Sequence, residues 1–477
     1  MLYIIYIMSR ERSGVSQTKQ RVRITPNNQP SGDYSAQNFP AINFVIAAQR
    51  AWLDPRTLRL NGQYSMTNND SVLPENNATA VGDINRNGAT LNNSIGVSSV
   101  IDEVNISTYT GAKNLETVRT YNRYLAACKP LMHSSLDYDN GLGLQDAMCT
   151  NKSLTNSKTA GVKTDFSIPI QVGMFDTKGY INLSEKGFHG INIDLLLCQN
   201  AQAIQPFYYY TGLKKADKQK KASEKTFNYK LANLNLTYNL LIPDDRLYAS
   251  YPSSGVLEYN TIASLHSTLI SNDQTINLRL NANRVMSVTH SIIPSLHVNN
   301  IGVDSFQLCK PKTGANLATG DGVDREIRTV QYLRAGQLYP YNFILDSEEQ
   351  ANIDPSNQLQ GFSPSPQAQI MKPYLNSVSL YNNSHNKFNP LSNIGIASGS
   401  ALAGSGAQPL ASSPDPRSIF GLGVCMDSNK NGVSFKSREY AIRIQSELDN
   451  TNANALFSFS RIRQIAQFSP AGINVIE

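Results

Sequence analysis

Apolar and polar residues alternate along this chain with a period of two, from end to end. Phe166, Ile168, Ile170 and Val172 interleave with Ser167, Pro169 and Gln171. Ile191, Ile193, Leu195 and Leu197 form one face of the next segment. Leu234, Leu236, Tyr238, Leu240 and Ile242 alternate with Asn235, Thr237 and Asn239. Ile276, Leu278 and Leu280, and later Tyr440, Ile442 and Ile444, repeat the pattern. Successive side chains of a strand point to opposite faces, so this spacing predicts half-buried strands in packed sheets. Helical spacing is rare. "AKNLETVRTYNRYLAAC" (112–128) places Leu115, Val118, Tyr121 and Leu125 on one face, and "VLEYNTIASLHSTLI" (256–270) does the same, more weakly, with Leu257, Ile262, Leu265 and Leu269. Both are predicted as helices.

Long polar stretches separate the strands. Residues 67–94 are rich in Asn, residues 212–226 ("GLKKADKQKKASEKT") are basic, and residues 350–416 are rich in Ser, Pro, Gly and Gln. Loops of this length in a compact domain form functional surfaces or mobile segments. The basic run reads first as a solvated loop and second as a binding patch. Strands joined by such insertions predict an all-β protein of sandwich type. Two blocks of similar layout follow one another, 40–248 and 249–477, the second with its long insertion at 350–416.

Composition supports strands over helices. Of 477 residues, 40% are hydrophobic and only 16% charged, so the chain can bury a large core under a neutral polar surface. A net charge of +6 is small for this length and does not by itself indicate nucleic-acid binding. Five cysteines without short-range pairing read as free thiols, and no C-x-x-C occurs. The opening "MLYIIYIM" is too short for a membrane span, and its charges follow the apolar run, unlike a signal peptide; translation is expected to start at Met8. Residues 1–39, with Arg10, Arg12, Lys19, Arg21 and Arg23, are expected to form a flexible basic arm, either solvated or touching nucleic acid or an anionic membrane.

The search for chemistry returns no catalytic, cofactor-binding or metal-binding residue, and no cofactor is expected. "CMDSNKNGVSF" (425–435) begins like a calcium loop at Asp427, Asn429 and Asn431. The bidentate Glu that an EF-hand needs is replaced by Arg438, with Glu439 one place late, and the flanks read as strands. Asn431-Gly432 is instead expected to turn a tight hairpin. His133, His189, His266, His290, His297 and His385 show no metal spacing; His290 and His297 could share a neighbourhood but lack a carboxylate. "GSALAGSG" (399–406) has no Lys for a phosphate loop. Asp244/Asp245 and Glu348/Glu349 are adjacent in turn-like contexts, so neither pair can act jointly as acid and base. Tyr208, Tyr209 and Tyr210 in "PFYYYTG" are either an interface anchor or packing under the basic loop.

The order of these segments resembles the double jelly-roll major capsid proteins of the Polinton-like virus, virophage and adenovirus lineage. "INFVIAAQRAWLDPRTLRLNGQYSM" (42–66) is similar to the first long strand, a bend and its return. "IDEVNISTYTGAKNLETVRTYNRYL" (101–125) resembles the strand, turn and helix with a "YN" step. "FSIPIQVGMFDTKGYINLSEKGFHGINIDLLL" (166–197), "GQLYPYNFILD" (336–346), "IFGLGVCM" through "YAIRIQS", and "FSFSRIRQIAQFSPAGINVIE" (457–477) follow in the expected order. The resemblance covers most of 40–477.

It implies two tandem eight-stranded jelly-roll sandwiches with short helices and long loop insertions, and no enzyme. It further implies a major capsid protein that self-assembles as a pseudo-hexameric homotrimer and tiles an icosahedral shell. Neighbouring capsomers and minor or penton capsid proteins would be partners, and the basic arm would meet genome or internal membrane. The location would be the virion, with synthesis in the host cytoplasm and assembly in the nucleus or a viral factory. The alternative is a minor virion or receptor-binding β-sandwich that binds or cleaves carbohydrate, for which one tryptophan, Trp52, is poor provision. A secreted cellular β-protein fits less well, given the odd cysteine count.

Overall fold

The structure is a computed structural model that describes residues 17–29, 32–68, 88–91, 95–109, 113–128, 163–177, 179–207, 227–295, 326–344, 422–426, 432–436, 439–446, 453–469 and 472–476, with residues 111, 298–299, 310–311, 373–374 and 376–378. The first set of strands is β1 (Gln17–Ile24), β2 (Ala41–Ile46), β3 (Trp52–Asn68), β4 (Gly88–Leu91), β5 (Ile101–Thr108), β6 (Asn114–Val118), β7 (Thr164–Pro169), β8 (Ile181–Asn182), β9 (Ile191–Leu197), β10 (Ile204–Phe207) and β11 (Phe227–Pro243). The second is β12 (Gly255–Leu269), β13 (Asp273–Asn277), β14 (Val285–Pro294), β15 (Lys310–Pro311), β16 (Glu326–Arg334), β17 (Gln337–Ile344), β18 (Leu422–Cys425), β19 (Tyr440–Ser446), β20 (Asn454–Ser469) and β21 (Gly472–Ile476). Helix α1 (Tyr121–Cys128) lies between β6 and β7, and helix α2 (Asp245–Ser250) joins the two sets.

Each set makes one sandwich. The sheet β1-β11-β3-β7 faces β2-β9-β5-β6, and the sheet β12-β20-β14-β18 faces β13-β19-β16-β17. Strands β4 and β10 form a separate ribbon, and β8, β15 and β21 add to sheet edges. If the eight principal strands of each set are counted along the chain, both sandwiches show the same orders. One sheet runs first-eighth-third-sixth, and the other runs second-seventh-fourth-fifth. The period-two residues fill the cores as predicted: Phe166, Ile168, Ile191, Ile193, Leu195, Leu236 and Leu240 are buried in the first, and Ile276, Ile442 and Ile444 in the second.

Four expectations change. Residues 17–24 of the expected arm form β1, paired along its length with β11, with Val22 and Ile24 packed on the core and Lys19, Arg21 and Arg23 exposed. Only one face of an edge strand needs to be apolar, so two such residues suffice. The expected helix at 256–270 is β12, which pairs with β20 from Gly255 to Leu269. Its helix-like spacing arises because residues on both faces of the strand are buried. The segment 112–128 is half strand and half helix: β6 pairs with β5, Thr120 adopts φ 50, and α1 starts after it. Asn431 lies outside the described residues, but the strands its hairpin was expected to join, β18 and β19, lie in different sheets and do not pair. The chain instead leaves the β14 edge at Met426, whose N–H bonds the Met286 carbonyl at 2.9 Å, and rejoins it at Val433 opposite Val285. Gly432 makes that re-entry at φ 74, where a Cβ would sit 2.8 Å from the Arg284 carbonyl carbon.

Replacing Val22 and Ile24 together by Asp should lower stability by about 2 kcal/mol, read from the urea midpoint. A solvated arm would show no change.

Candidate functional site

The feature that sets this molecule apart from two beads on a string is the junction between its sandwiches. The outer face of the β12-β20-β14 sheet joins the core of the first sandwich: Leu257, Tyr259, Ile262, Phe457, Phe459 and Phe468 are buried there. Helix α1 lies over this face. Tyr124 packs edge-on to Phe459 with ring centroids 5.5 Å apart, and the Arg123 guanidinium stands 4.6 Å above the Phe457 ring. The Tyr374 hydroxyl donates to the carbonyl of Ala127 at the end of α1, and Arg461 Nη1 donates to the Ser377 carbonyl at 3.1 Å.

A polar clamp closes the other side. Glu116 on β6 accepts hydrogen bonds from the backbone N–H groups of Gly173 (3.0 Å) and Met174 (2.7 Å), which open the 3-10 turn Gly173–Phe175. The Thr261 hydroxyl on β12 bonds the same carboxyl, and the Tyr259 hydroxyl donates to the Leu115 carbonyl. Gly173 is required by space: a Cβ there would lie 1.6 Å from the Asn260 carbonyl oxygen. Three elements from two sandwiches thus meet at one buried carboxyl.

No family model matches the chain, and no curated protein matches it in sequence. Solved structures match it nearly end to end. The Faustovirus major capsid protein aligns with a TM-score of 0.58 at 10% identity, over 98% of this chain and 93% of that one. The capsid protein of the PBCV-1 virus capsid aligns with a TM-score of 0.52 at 9% identity, over 99% of each chain. The chain has the fold of the double jelly-roll major capsid proteins.

Within this double jelly roll the residues considered for chemistry have structural duties. His290 lies between the sheets of the second roll, its Nδ1 2.7 Å from the Ser458 hydroxyl and its ring 5.5 Å from that of Tyr332. Burial pushes its pKa down to about 3, so it is a neutral core residue. His266 stacks on Phe457, with centroids 4.7 Å apart. Asp244 caps α2 by accepting from the Leu247 N–H at 2.7 Å. Glu439 accepts from the Asn277 amide at 3.0 Å. Trp52 is buried against Tyr251, with centroids 5.0 Å apart, and offers no face to a sugar. A cleft of about 460 Å³ lies between residues 277–281 and Phe435, Lys436, Glu439 and Tyr440, but its Phe435 and Tyr440 rings stack on each other 4.0 Å apart. Cys128, Cys198 and Cys425 are free thiols, and burial raises Cys128 to about 12. Asp427, Asn429, Asn431, Arg438, His133, His297, His385, Glu348, Glu349, residues 399–406 and Tyr208–Tyr210 lie outside the described residues.

The junction's own groups could not be found from sequence. Glu116 sits inside the run whose spacing predicts a helix, and only contacts across the chain reveal its role. Burial raises its pKa from 4.5 to about 7, against the lowering effect of the hydrogen bonds from Met174, Gly173 and Thr261. Asp176 rises to about 6 for the same reason, offset by the charges of Arg56 and Arg461.

A carboxyl with a raised folded pKa stabilises below its unfolded pKa, and that contribution is lost as pH climbs through the folded value. The junction should therefore weaken between pH 4.5 and about 7, by about 3 kcal/mol in all. Glu116→Gln should flatten this slope in urea titrations taken across the range; an unchanged slope would exclude the carboxyl as its source. Gly173→Ala should cost about 3 kcal/mol or abolish soluble protein.

Proposed function

We propose that this chain is a structural subunit of a viral shell. One observation carries the reading: two sandwiches of identical strand order are fixed side by side by a buried interface, so the chain is a single rigid block with two similar halves. Fold likeness to capsid proteins supports the same role, and the junction explains why a chain would be built this way. A pair of similar lobes in one subunit lets three subunits form a six-sided block through heterologous contacts that close on themselves. That block would be the homotrimeric capsomer, and side-by-side packing of capsomers with minor and penton proteins would tile an icosahedral shell. The virion is then its location.

The role proposed is mechanical and not catalytic. Its requirements are broad neutral contact surfaces and stiffness, which a chain with only 16% charged residues and a first-roll core that extends onto the outer face of the second roll's sheet supplies. The exposed cations Lys19, Arg21 and Arg23 belong to an edge strand, so any contact with genome or membrane falls first to the segment preceding it, with Arg10 and Arg12. The carbohydrate-binding alternative is not favoured, since Trp52, Phe435 and Tyr440 are buried.

Purified protein at micromolar concentration should scatter light as three chain masses, and negative-stain images should show six-lobed particles. A monomer under all conditions would reject this reading.

A further inference from the structure

Strand β17 ends at Ile344 and β18 begins at Leu422. Of the chain between them, the described residues are Pro373, Tyr374, Asn376, Ser377 and Val378, and they are helical. A single helical turn is unstable in water, so this one owes its shape to what it touches. Its seat is a groove with α1 on one side and strands β14, β18 and β20 beneath. Tyr374, Ser377 and Val378 are 2%, 0% and 3% exposed, and Tyr374 and Val378 pack into the core of the first roll although they belong to a connection of the second.

The groove also pairs the polar atoms of the segment. The Tyr374 hydroxyl donates to the Ala127 carbonyl, one of the last four of α1, which have no partner within the helix. The Ser377 carbonyl accepts from the Ser287 hydroxyl (3.0 Å) and from Arg461 Nη1 (3.1 Å), and the Val378 carbonyl from Arg461 Nη2 (3.4 Å). The Ser377 hydroxyl donates to the Tyr374 carbonyl (2.7 Å) and lies 3.3 Å from Thr289 Oγ1. Gly423 of β18 leaves the room: a Cβ there would stand 2.2 Å from Ser377 Oγ. The floor is built without the segment, because β14 pairs with both β18 and β20.

We propose that the groove between α1 and the β14-β18-β20 sheet is a peptide-binding site, and that residues 373–378 are its tethered ligand, a docking peptide of the pattern Tyr-x-x-Ser-Val. The tyrosine fills the apolar end and closes α1, the serine sits over Gly423, and Arg461 holds the two exit carbonyls. The strap so formed grips the first roll from the second within one chain. Stretches 345–372 and 379–421 tether it. Tethers of this kind give an effective concentration on the order of 1 mM, so a strap that stays seated must bind with a Kd below about 1 mM when free. The rolls keep their own cores and their shared sheet whether the strap is seated or not.

The test is a full-length chain with residues 373–378 replaced by glycine and serine, titrated by fluorescence anisotropy with a labelled peptide of residues 371–380. Saturable binding with a Kd below about 1 mM is expected, with at least tenfold weaker binding to the wild-type chain, whose groove is filled. A peptide with Tyr374→Ala or Ser377→Val should bind at least tenfold less well. Gly423→Ala in the strap-less chain should do the same while leaving its melting curve unchanged, since no serine is there to clash. Binding that does not saturate below about 5 mM, or that is equal in the wild-type chain, overturns the proposal. If the strap-less chain does not fold, the wild-type sequence with protease sites in 345–372 and 379–421 is cut after folding and dialysed. The fragment should leave a folded chain that then takes up the peptide. A chain that unfolds on losing it, or a fragment that native buffer and excess peptide cannot remove, makes these residues core and overturns the proposal equally.

Discussion

Strand β20 has no face turned to water over its first nine residues, Asn454 to Ile462. Its alternate side chains serve two cores: Ala455, Phe457 and Phe459 enter the first, and Leu456 and Ile462 the second. Each fully buried side chain of this size contributes about 1.5–3 kcal/mol relative to exposure. The strand thus ties the folding of both rolls to one element. Two of its buried polar residues are bonded across the fold: Ser458 meets His290, and Arg461 reaches the carbonyls of Ser377 and Val378. A slip of one residue would exchange the two sets and expose both cores, so the register of the whole second roll is fixed here.

Because that sheet is shared, the two rolls cannot reorient without opening an interior. Tyr374, 247 residues downstream of Ala127, still bonds its carbonyl, and Phe188 of the first roll packs on Phe468 of the second, with ring centroids 5.5 Å apart. Stiffness is therefore a property of the packing and does not depend on α2 as a linker. The glycine at 173 marks the tightest point, where backbone meets backbone with no room for a methyl group.

Much of this was legible in the sequence. Strands that are buried on one face announce themselves by alternation, as Ile191 to Leu197 and Tyr440 to Ile444 do. What failed has a common cause. Strand β12 is buried on both faces along part of its length, so its apolar residues lose the period of two and imitate a helix. Strand β1 lies at an edge and keeps only Val22 and Ile24 for the core, so its cations dominate the reading. The turn at Gly432 was read as local, but its geometry is set by Arg284, far away in sequence. Glu116 was invisible for the same reason: its partners, Gly173, Met174 and Thr261, are brought to it only by the fold.

Long connections follow β3 and precede β11, and the paired residues Asn68 and Phe227 put both on one end of the first roll. Neither connection interrupts the shared sheet. Mutation and insertion in these stretches can accumulate while the joint stays unaltered, so related chains should differ most in outline at that end and least along the seam where the halves meet.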